Sequence, residues 1–412
     1  MRKIGGTCKC RGARGPRGFQ GPRGPRGPRG PTGPSATCDY RACTVDTSCG
    51  GIFPCSPPTG DTLTVGPGQM FATIQAAVTA ASSGDEILVF PDTYAEQVTI
   101  PVGKDNLLLV SQTPQAAIIT TPAGGVVGNF ALVTTNAQCT RISGFTVTGP
   151  SVVQGNLRIG IYVTGGGSAI IDNNVITDIR DNPLSGLQQG TGINVDVGSA
   201  IVVGNTITSY QKTGIRINGS GTCSAVLNNT VTGVGATPTI AQNGIQISRS
   251  ATAFVQGNTV TANIYTGANF ISTGILLFQV VATAPVCVQF NTLSNNDAGL
   301  ALATTTESLV QGNTSSNNTQ FGIFVQSDSF NNVFIRNTAQ DNPTFDIEDD
   351  SVGLLSALTA NVYLCNTCTT DNKDGAICAS TSPLPTSIPT TAEVLDLFAP
   401  ASIPAVPPVS EG

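Results

Sequence analysis

The chain has no histidine and no tryptophan, so imidazole is absent as general base and as metal ligand, and many hydrolytic and metal-dependent mechanisms go with it. Charge is scarce too, since Asp, Glu, Lys and Arg make up 11% of the 412 residues, against about a quarter in an ordinary soluble domain. No apolar run approaches the ~20 residues that would cross a bilayer, and no membrane span is expected. The start, MRKIGGTCKC, carries basic residues but no apolar h-region, so it does not read as a secretory signal peptide. What is plentiful is Gly, Thr, Asn and small apolar residues, a composition that suits strands and tight turns better than helices.

A chain this long exceeds most single cores, but a solenoid buries each coil against its neighbours and needs no second globular domain. The net charge of −6 is uneven. The first 35 residues hold Arg2, Lys3, Lys9, Arg11, Arg14, Arg17, Arg23, Arg26 and Arg29 and no acid, leaving the rest acidic. Nucleic-acid binding is not expected, because arginines placed between regularly spaced glycines serve as solvated positions of an extended triple helix.

That spacing runs through Gly12, Gly15, Gly18, Gly21, Gly24, Gly27, Gly30 and Gly33, with Pro or Arg between. Only glycine fits at the axis of three wound chains, so the run predicts a collagen-like stalk and a homotrimer, with a Pro/Gly linker as the alternative. The twelve cysteines cluster as Cys8 and Cys10; Cys38, Cys43, Cys49 and Cys55; and Cys365, Cys368 and Cys378, with Cys139, Cys223 and Cys287 isolated. Clusters flanking a repetitive body predict disulfide staples at its ends, and Cys8, Cys10 and Cys38 can lock the three chains. Zinc at Cys365, Cys368 and Cys378 is the weaker alternative, lacking a fourth ligand nearby, so no metal or cofactor is expected. Cys287 is expected to pack as a free thiol inside a coil.

From residue 63 the pattern changes. In FATIQAAVTAASSGDEILVF, Ile74, Ala77, Val78 and Ala81 share a helical face, and Ile87–Phe90 is a buried strand. A Gly-apolar-x-apolar unit then recurs as GIYV at 160, GINV at 192, GIRI at 214, GIQI at 244, GILL at 274, GLAL at 299 and GIFV at 322. Each is followed by an Asn-centred turn, at Asn174, Asn205, Asn229, Asn258, Asn291, Asn313 and Asn337, 22 to 33 residues apart. Period-2 alternation turns Ile161/Val163, Ile193/Val195, Ile215/Ile217, Ile245/Ile247, Ile275/Leu277, Leu300/Leu302 and Ile323/Val325 inward. The asparagines are read as structural, tolerating a left-handed turn and stacking their amides from coil to coil.

With TIQAAVTAASSGDEILVFPDTYAEQVTI ahead of these repeats, the chain resembles pectate-lyase-like right-handed parallel β-helix proteins, in which such a helix caps the first coil. The fold expected is all-β, a single-chain right-handed parallel β-helix of about eleven coils. The order is a Cys-containing arm (1–11), collagen-like stalk (12–35), Cys-rich neck (36–62), β-helix (63–379) and Pro/Thr/Ser-rich tail (380–412). The resemblance implies enzymes acting on polysaccharides. Its lyases pair calcium-binding acids with an arginine base, its hydrolases use three aspartates and a His, and its methylesterases two aspartates with Gln and Arg. Here Asp172, Asp178, Asp181 and Asp196 share no repeat column, and Arg158, Arg180, Arg216 and Arg249 fall at different offsets. Asp172, Asp178 and Asp181 are therefore expected to be separate solvated loop acids. Asp341, Asp346, Glu348, Asp349 and Asp350, like Asp371 and Asp374, match no calcium-loop spacing and are expected to be charged surface.

A non-enzyme is expected on this basis, a structural or adhesive surface element similar to the collagen-like glycoproteins of spore surfaces. It would sit on a spore or other extracellular surface and enter higher-order assemblies. The alternatives are a carbohydrate-binding or polysaccharide-degrading β-helix and a virion fibre. Exposed aromatics would favour carbohydrate binding, and acids on one coil face an enzyme. Between the inward positions, Tyr162, Asn194, Arg216, Gln246, Leu276, Ala301 and Phe324 point outward, so an apolar patch of Leu276, Phe278 and Phe324 is expected to be covered by a loop, the tail or another protomer.

Overall fold

The computed structural model describes residue 55 and residues 58–281 and 286–378. The Gly-X-Y run Gly12–Gly33, Cys8, Cys10, Cys38, Cys43, Cys49 and the tail lie outside the described residues.

Three parallel sheets make up the described body, one of twelve strands (sheet A) and two of ten (sheets B and C). Each full coil gives one strand to each sheet, and each strand pairs in parallel with its counterpart one coil away, as Ile193 with Ile161 on one side and Ile215 on the other. The chain is thus a parallel β-helix of about eleven coils. The GI units form sheet C, and the short strands after the Asn turns form sheet B. Side chains alternate along a strand, so one column per strand pair faces inward. Ile161, Ile193, Ile215, Ile245, Ile275, Leu300 and Ile323 are all fully buried. In sheet B the matching column runs Ile176, Ile207, Val231, Val260 and Leu293, then Ser315 and Ala339. The core thins there, and the stacked rings of Phe334 and Tyr363, 4.7 Å apart, fill the last coils.

The helix α1, Ile74–Ala80, buries Ile74, Ala77 and Val78 against the first coil. Thr73 caps it by accepting from the Ala76 N–H, and the Glu96 carboxylate accepts from the Ile74 and Gln75 N–H groups, placing negative charge at its N-terminus.

The glycine opening each GI unit is required by close approach. A Cβ on Gly214 would lie 2.6 Å from the Gly244 carbonyl oxygen of the next coil, and on Gly192 2.7 Å from that of Gly214. Neither has a left-handed φ, so the requirement is space between coils rather than backbone freedom.

The asparagines form a buried ladder. Asn205, for example, donates its side-chain amide and its backbone N–H to Asn229 Oδ1, both at 3.0 Å. Asn174, Asn229, Asn258, Asn291 and Asn313 repeat the motif, and Asn337 extends it to Asn366. The left-handed residue is not the ladder Asn, as the sequence suggested, but the one before it: Asn173, Gly204, Asn228, Gly257, Phe290, Gly312 and Arg336 all have positive φ. Phe290 and Arg336 are costly there, and the bonds made by the next residue hold them in place. A second ladder, Asn263–Asn296–Asn318–Asn342, ends on Asp346.

Candidate functional site

Sheet C carries the candidate site on its outer face. Its strands Ile159–Thr164, Thr191–Asp196, Thr213–Asn218, Asn243–Ser248, Thr273–Phe278, Ala298–Ala303 and Phe321–Val325 pair in register. They align Tyr162, Asn194, Arg216, Gln246, Leu276, Ala301 and Phe324 in one outward column, with Glu348 beyond.

The first half of this face is a polar network. Arg216 donates through Nε to Asn194 Oδ1 at 2.8 Å. Beside it Asn218 donates to Asp196, Ser248 donates to Asn218, and Gln246 donates to Ser248. Arg216 is half-buried, and among the described residues it forms no salt bridge, unlike Arg141, which holds Asp172 at 2.8 Å, and Arg180, which holds Asp178 at 2.9 Å. Burial lowers its proton affinity and Arg249 adds to this, while Asp196 and Tyr162 oppose it. The Asn194 Nδ2 group beside it is buried without a partner. The half-buried Arg216 guanidinium, bonded to Asn194 Oδ1 but to no carboxylate among the described residues, and the unsatisfied Asn194 amide together form a donor set on this face.

The second half is apolar. Phe321 and Phe324 stack with centroids 4.9 Å apart and an interplanar angle of 18°. Leu276 and Phe324 are half-buried, but Phe278 is 36% exposed, so the cover expected over all three is not complete. Beyond them Glu348 lies against Phe324 in register, its proton affinity raised by burial and by Asp350 against an opposing Lys373. The face thus passes from cation through aromatic surface to acid.

The acids singled out from sequence do not meet. Asp172 is buried and held by Arg141 and Ser143. Asp181 is buried as well, accepting from the Gly155 N–H and bonded to the Ser185 hydroxyl. The expectation of solvated loop acids is corrected for these two, because Asp172, at the end of the strand Ser168–Asp172, accepts from side chains of the adjacent coil and Asp181 accepts from a backbone N–H and a hydroxyl. Asp346 and Asp349 are likewise buried rather than surface charge: Asp346 accepts from the Asn342, Thr369 and Thr370 N–H groups, and Asp349 from Tyr363 and Asn361. Asp341, Asn342, Pro343, Asp346, Thr369 and Thr370 line a cleft of about 360 Å³ beside the end of the second ladder.

All seven described cysteines are disulfide-bonded. Cys55 joins Cys139 and Cys368 joins Cys378. Cys368, Cys378 and Asp371 have ligand-competent spacing, but the bridge consumes both thiolates and Asp371 accepts from the Lys373, Gly375, Ile377 and Cys378 N–H groups, so they form no zinc site. Cys287 is not a free core thiol. It precedes the inward-facing Val288 and so points outward, where it is disulfide-bonded.

Similarity to known proteins accords with this geometry. The sequence profile described as "Right handed beta helix region" matches residues 131–279 and 191–386, more than half the chain. The chain belongs to the right-handed β-helix family. Among solved structures, this β-helix is similar to an alginate lyase from Paenibacillus sp. str. FPU-7 (13% identity, 71% of this chain and 99% of that one, TM-score 0.48) and to the pectate lyase Pel9A (15%, 79% and 82%, 0.46). It is also similar to ORF18 of Geobacillus virus E2 (13%, 71% and 57%, 0.46). No curated protein sequence matches the chain. Because proteins sharing the fold include a pectate lyase, an alginate lyase and an alginate epimerase, the expectation of a non-enzyme is withdrawn. At such identities they share the fold and not the residues, so the missing motifs do not argue against catalysis.

Two features escaped the sequence reading. The second ladder was marked by an Asn five residues after each of Asn258, Asn291, Asn313 and Asn337. The Arg216 site had no such signal, since Asn194 and Arg216 belong to different coils.

Proposed function

We propose that this β-helix is displayed at a surface and holds an acidic saccharide chain along the outer face of sheet C. The carrying observation is the in-register column in which Arg216, with no carboxylate partner among the described residues, and its amide network are followed by the Phe321–Phe324 stack. Guanidinium and amide groups bind carboxylate and hydroxyl oxygens, and an aromatic plate binds the apolar face of a sugar ring. Tyr162 and Phe324 are six coil steps apart, or ~29 Å at ~4.8 Å each, room for several sugars. Calorimetry with an oligouronate and a neutral oligosaccharide of equal length tests this reading. Arg216→Gln should weaken oligouronate binding about tenfold or more and leave the neutral ligand unchanged, while Phe324→Ala should weaken both about three- to tenfold. Wild-type protein that binds neither ligand, or variants indistinguishable from it, would refute the proposal.

Turnover is a second reading, favoured by the half-buried Arg216 guanidinium held at 2.8 Å by Asn194, which is placed to stabilise negative charge developing on a bound carboxylate. Formation of unsaturated uronate products, followed by ultraviolet absorbance, distinguishes it from binding alone. Display itself rests on the Gly-X-Y run and the Pro/Thr/Ser-rich tail. Immunogold labelling of spores, cells or virions tests it. Sedimentation with and without residues 1–37 tests the trimer.

A further inference from the structure

The turns that carry the chain from sheet C to sheet A stack along one corner of the β-helix, each bonded to the next. The Arg249 N–H donates to the Phe278 carbonyl, Gln279 to Ala303, Phe330 to Thr305 and Asn331 to Ala360. These turns lengthen towards the C-terminal coils. Four residues separate Asn218 from Cys223 and three separate Ser248 from Thr252, whereas seven separate Val325 from Val333 and twelve separate Asp349 from Val362.

A long surface connection is ordinarily polar, but this last one displays Val352, Leu354 and Leu358 at 87%, 95% and 73% exposure, with Leu355 beside them. It is also a built loop. Gly353 donates to the Leu358 carbonyl, Leu355 to that of Thr359 and Ser356 to that of Asn361, while the buried Asn361 amide holds Asp349 and Ser351. Ala357 and Leu358 are both kept at positive φ, a costly conformation of the kind that working surfaces retain. Phe330 and Phe278 continue the exposed apolar row on neighbouring turns. The row exposes roughly 600 Å², more than most monomers show in one patch, and with the polar residues between its members it nears the ~800 Å² that each partner gives a stable interface.

Charge and shape along the corner point to the partner. Exposed Asp328 and Asp350 lie at its C-terminal end with the long loop. Exposed Arg249 lies at the other end, four coil steps or ~19 Å away, beside short turns in which Gly219, Ser220 and Gly221 offer almost no side chain. Acids around the leucines disfavour an anionic membrane, since loops and helices that anchor there carry Lys or Arg.

We propose that this corner is a self-association surface on which two copies of the chain pack antiparallel about a two-fold axis, the loop 350–361 of each filling the notch at the short turns of the other. The axis falls at the middle turn, 304–308, which sets Phe278 against Phe330 of the second copy and Arg249 against its Asp350 and Asp328. Exposed Glu307 lies nearest the axis, where it repels its own copy, so the contact is reversible.

Sedimentation velocity of the full chain over a rising concentration series should show a reversible doubling of mass, whatever the starting oligomer. Leu354→Asp with Leu358→Asp should abolish the doubling. Arg249→Asp should weaken it about tenfold, and adding Asp350→Arg to the same chain should recover most of that loss, a rescue that misfolding cannot give. A photocrosslinking residue at Leu354 should yield, after reduction, a band of twice the chain mass whose linked peptide comes from 219–222 or 249–251. No doubling in the wild type, no rescue by the paired swap, adducts confined to residues 379–412 of the same chain, or flotation with phosphatidylcholine vesicles in place of doubling would each overturn the proposal.

Discussion

Replacing Asn258 by Leu tests whether the buried amides or the apolar columns specify the stacking of coils. Asn258 is fully buried, and its Oδ1 accepts from the Asn229 backbone N–H at 2.9 Å and the Asn229 amide at 3.0 Å. Its own amide donates to the Val226 carbonyl and to Asn291 Oδ1, both at 2.9 Å. Leucine has the same branching as asparagine but is larger, so no cavity forms and some overpacking adds to the loss. What is lost is an acceptor for two Asn229 donors and a donor for three oxygens, the Gln256 carbonyl at 3.1 Å being the third. Each buried group left unsatisfied costs about 1–3 kcal/mol, and the amides can re-pair in part, so a loss of about 3–6 kcal/mol is expected. Against a typical total of about 5–15 kcal/mol this is large, and in a solenoid it should fall first on the coils either side. Asn258→Asp is the informative partner, because a carboxylate still accepts from Asn229 but faces Asn291 Oδ1 without a proton to donate. It should be at least as damaging at pH 7 and recover in part where the acid is protonated. Thr259→Ala, at the adjacent exposed position, should stay within about 0.5 kcal/mol. Denaturant melts give the totals, and hydrogen exchange at the Asn229 amide shows whether the damage is local. A loss under about 1 kcal/mol, with Asn229 still protected, would mean that the ladder fills space and the apolar columns alone set the stack.

Gly214→Ala puts a methyl group 2.6 Å from the Gly244 carbonyl oxygen and should cost about 1–3 kcal/mol; an unchanged melting temperature would show that the coils can separate. Burial lowers the pKa of Lys212 to about 8, from 10.5, with its ammonium donating to the Ala241 carbonyl. Between these values the unfolded chain holds a proton that the folded one has released, so this group's contribution to stability rises with pH across the window and its penalty is fully present below about 8. Lys212→Met should therefore be the more stable protein at pH 7, by a margin in melting temperature that shrinks towards pH 10; a margin independent of pH would refute the assignment.

The architecture was legible from sequence because its causes are local and repeated. Ile215 and Ile217 two residues apart, with a glycine before and an Asn turn after, state a strand, its buried face and its exit, and seven such units state a solenoid. The helix Ile74–Ala80 was legible for the same reason. Tertiary structure decided whatever depends on which residues of different coils become neighbours, because loops of unequal length set that register. Asn194 and Arg216 are 22 residues apart in the chain and 2.8 Å apart in space. Asp172 reads as a loop acid until Arg141, a coil away, neutralises and buries it. Parity with Val288 turns Cys287 outward, but only the stack sets it on the same sheet as Cys139, Cys223 and Cys365. Period and alternation are written along one strand, whereas charge pairing, burial and cross-links belong to the face that stacked strands make together.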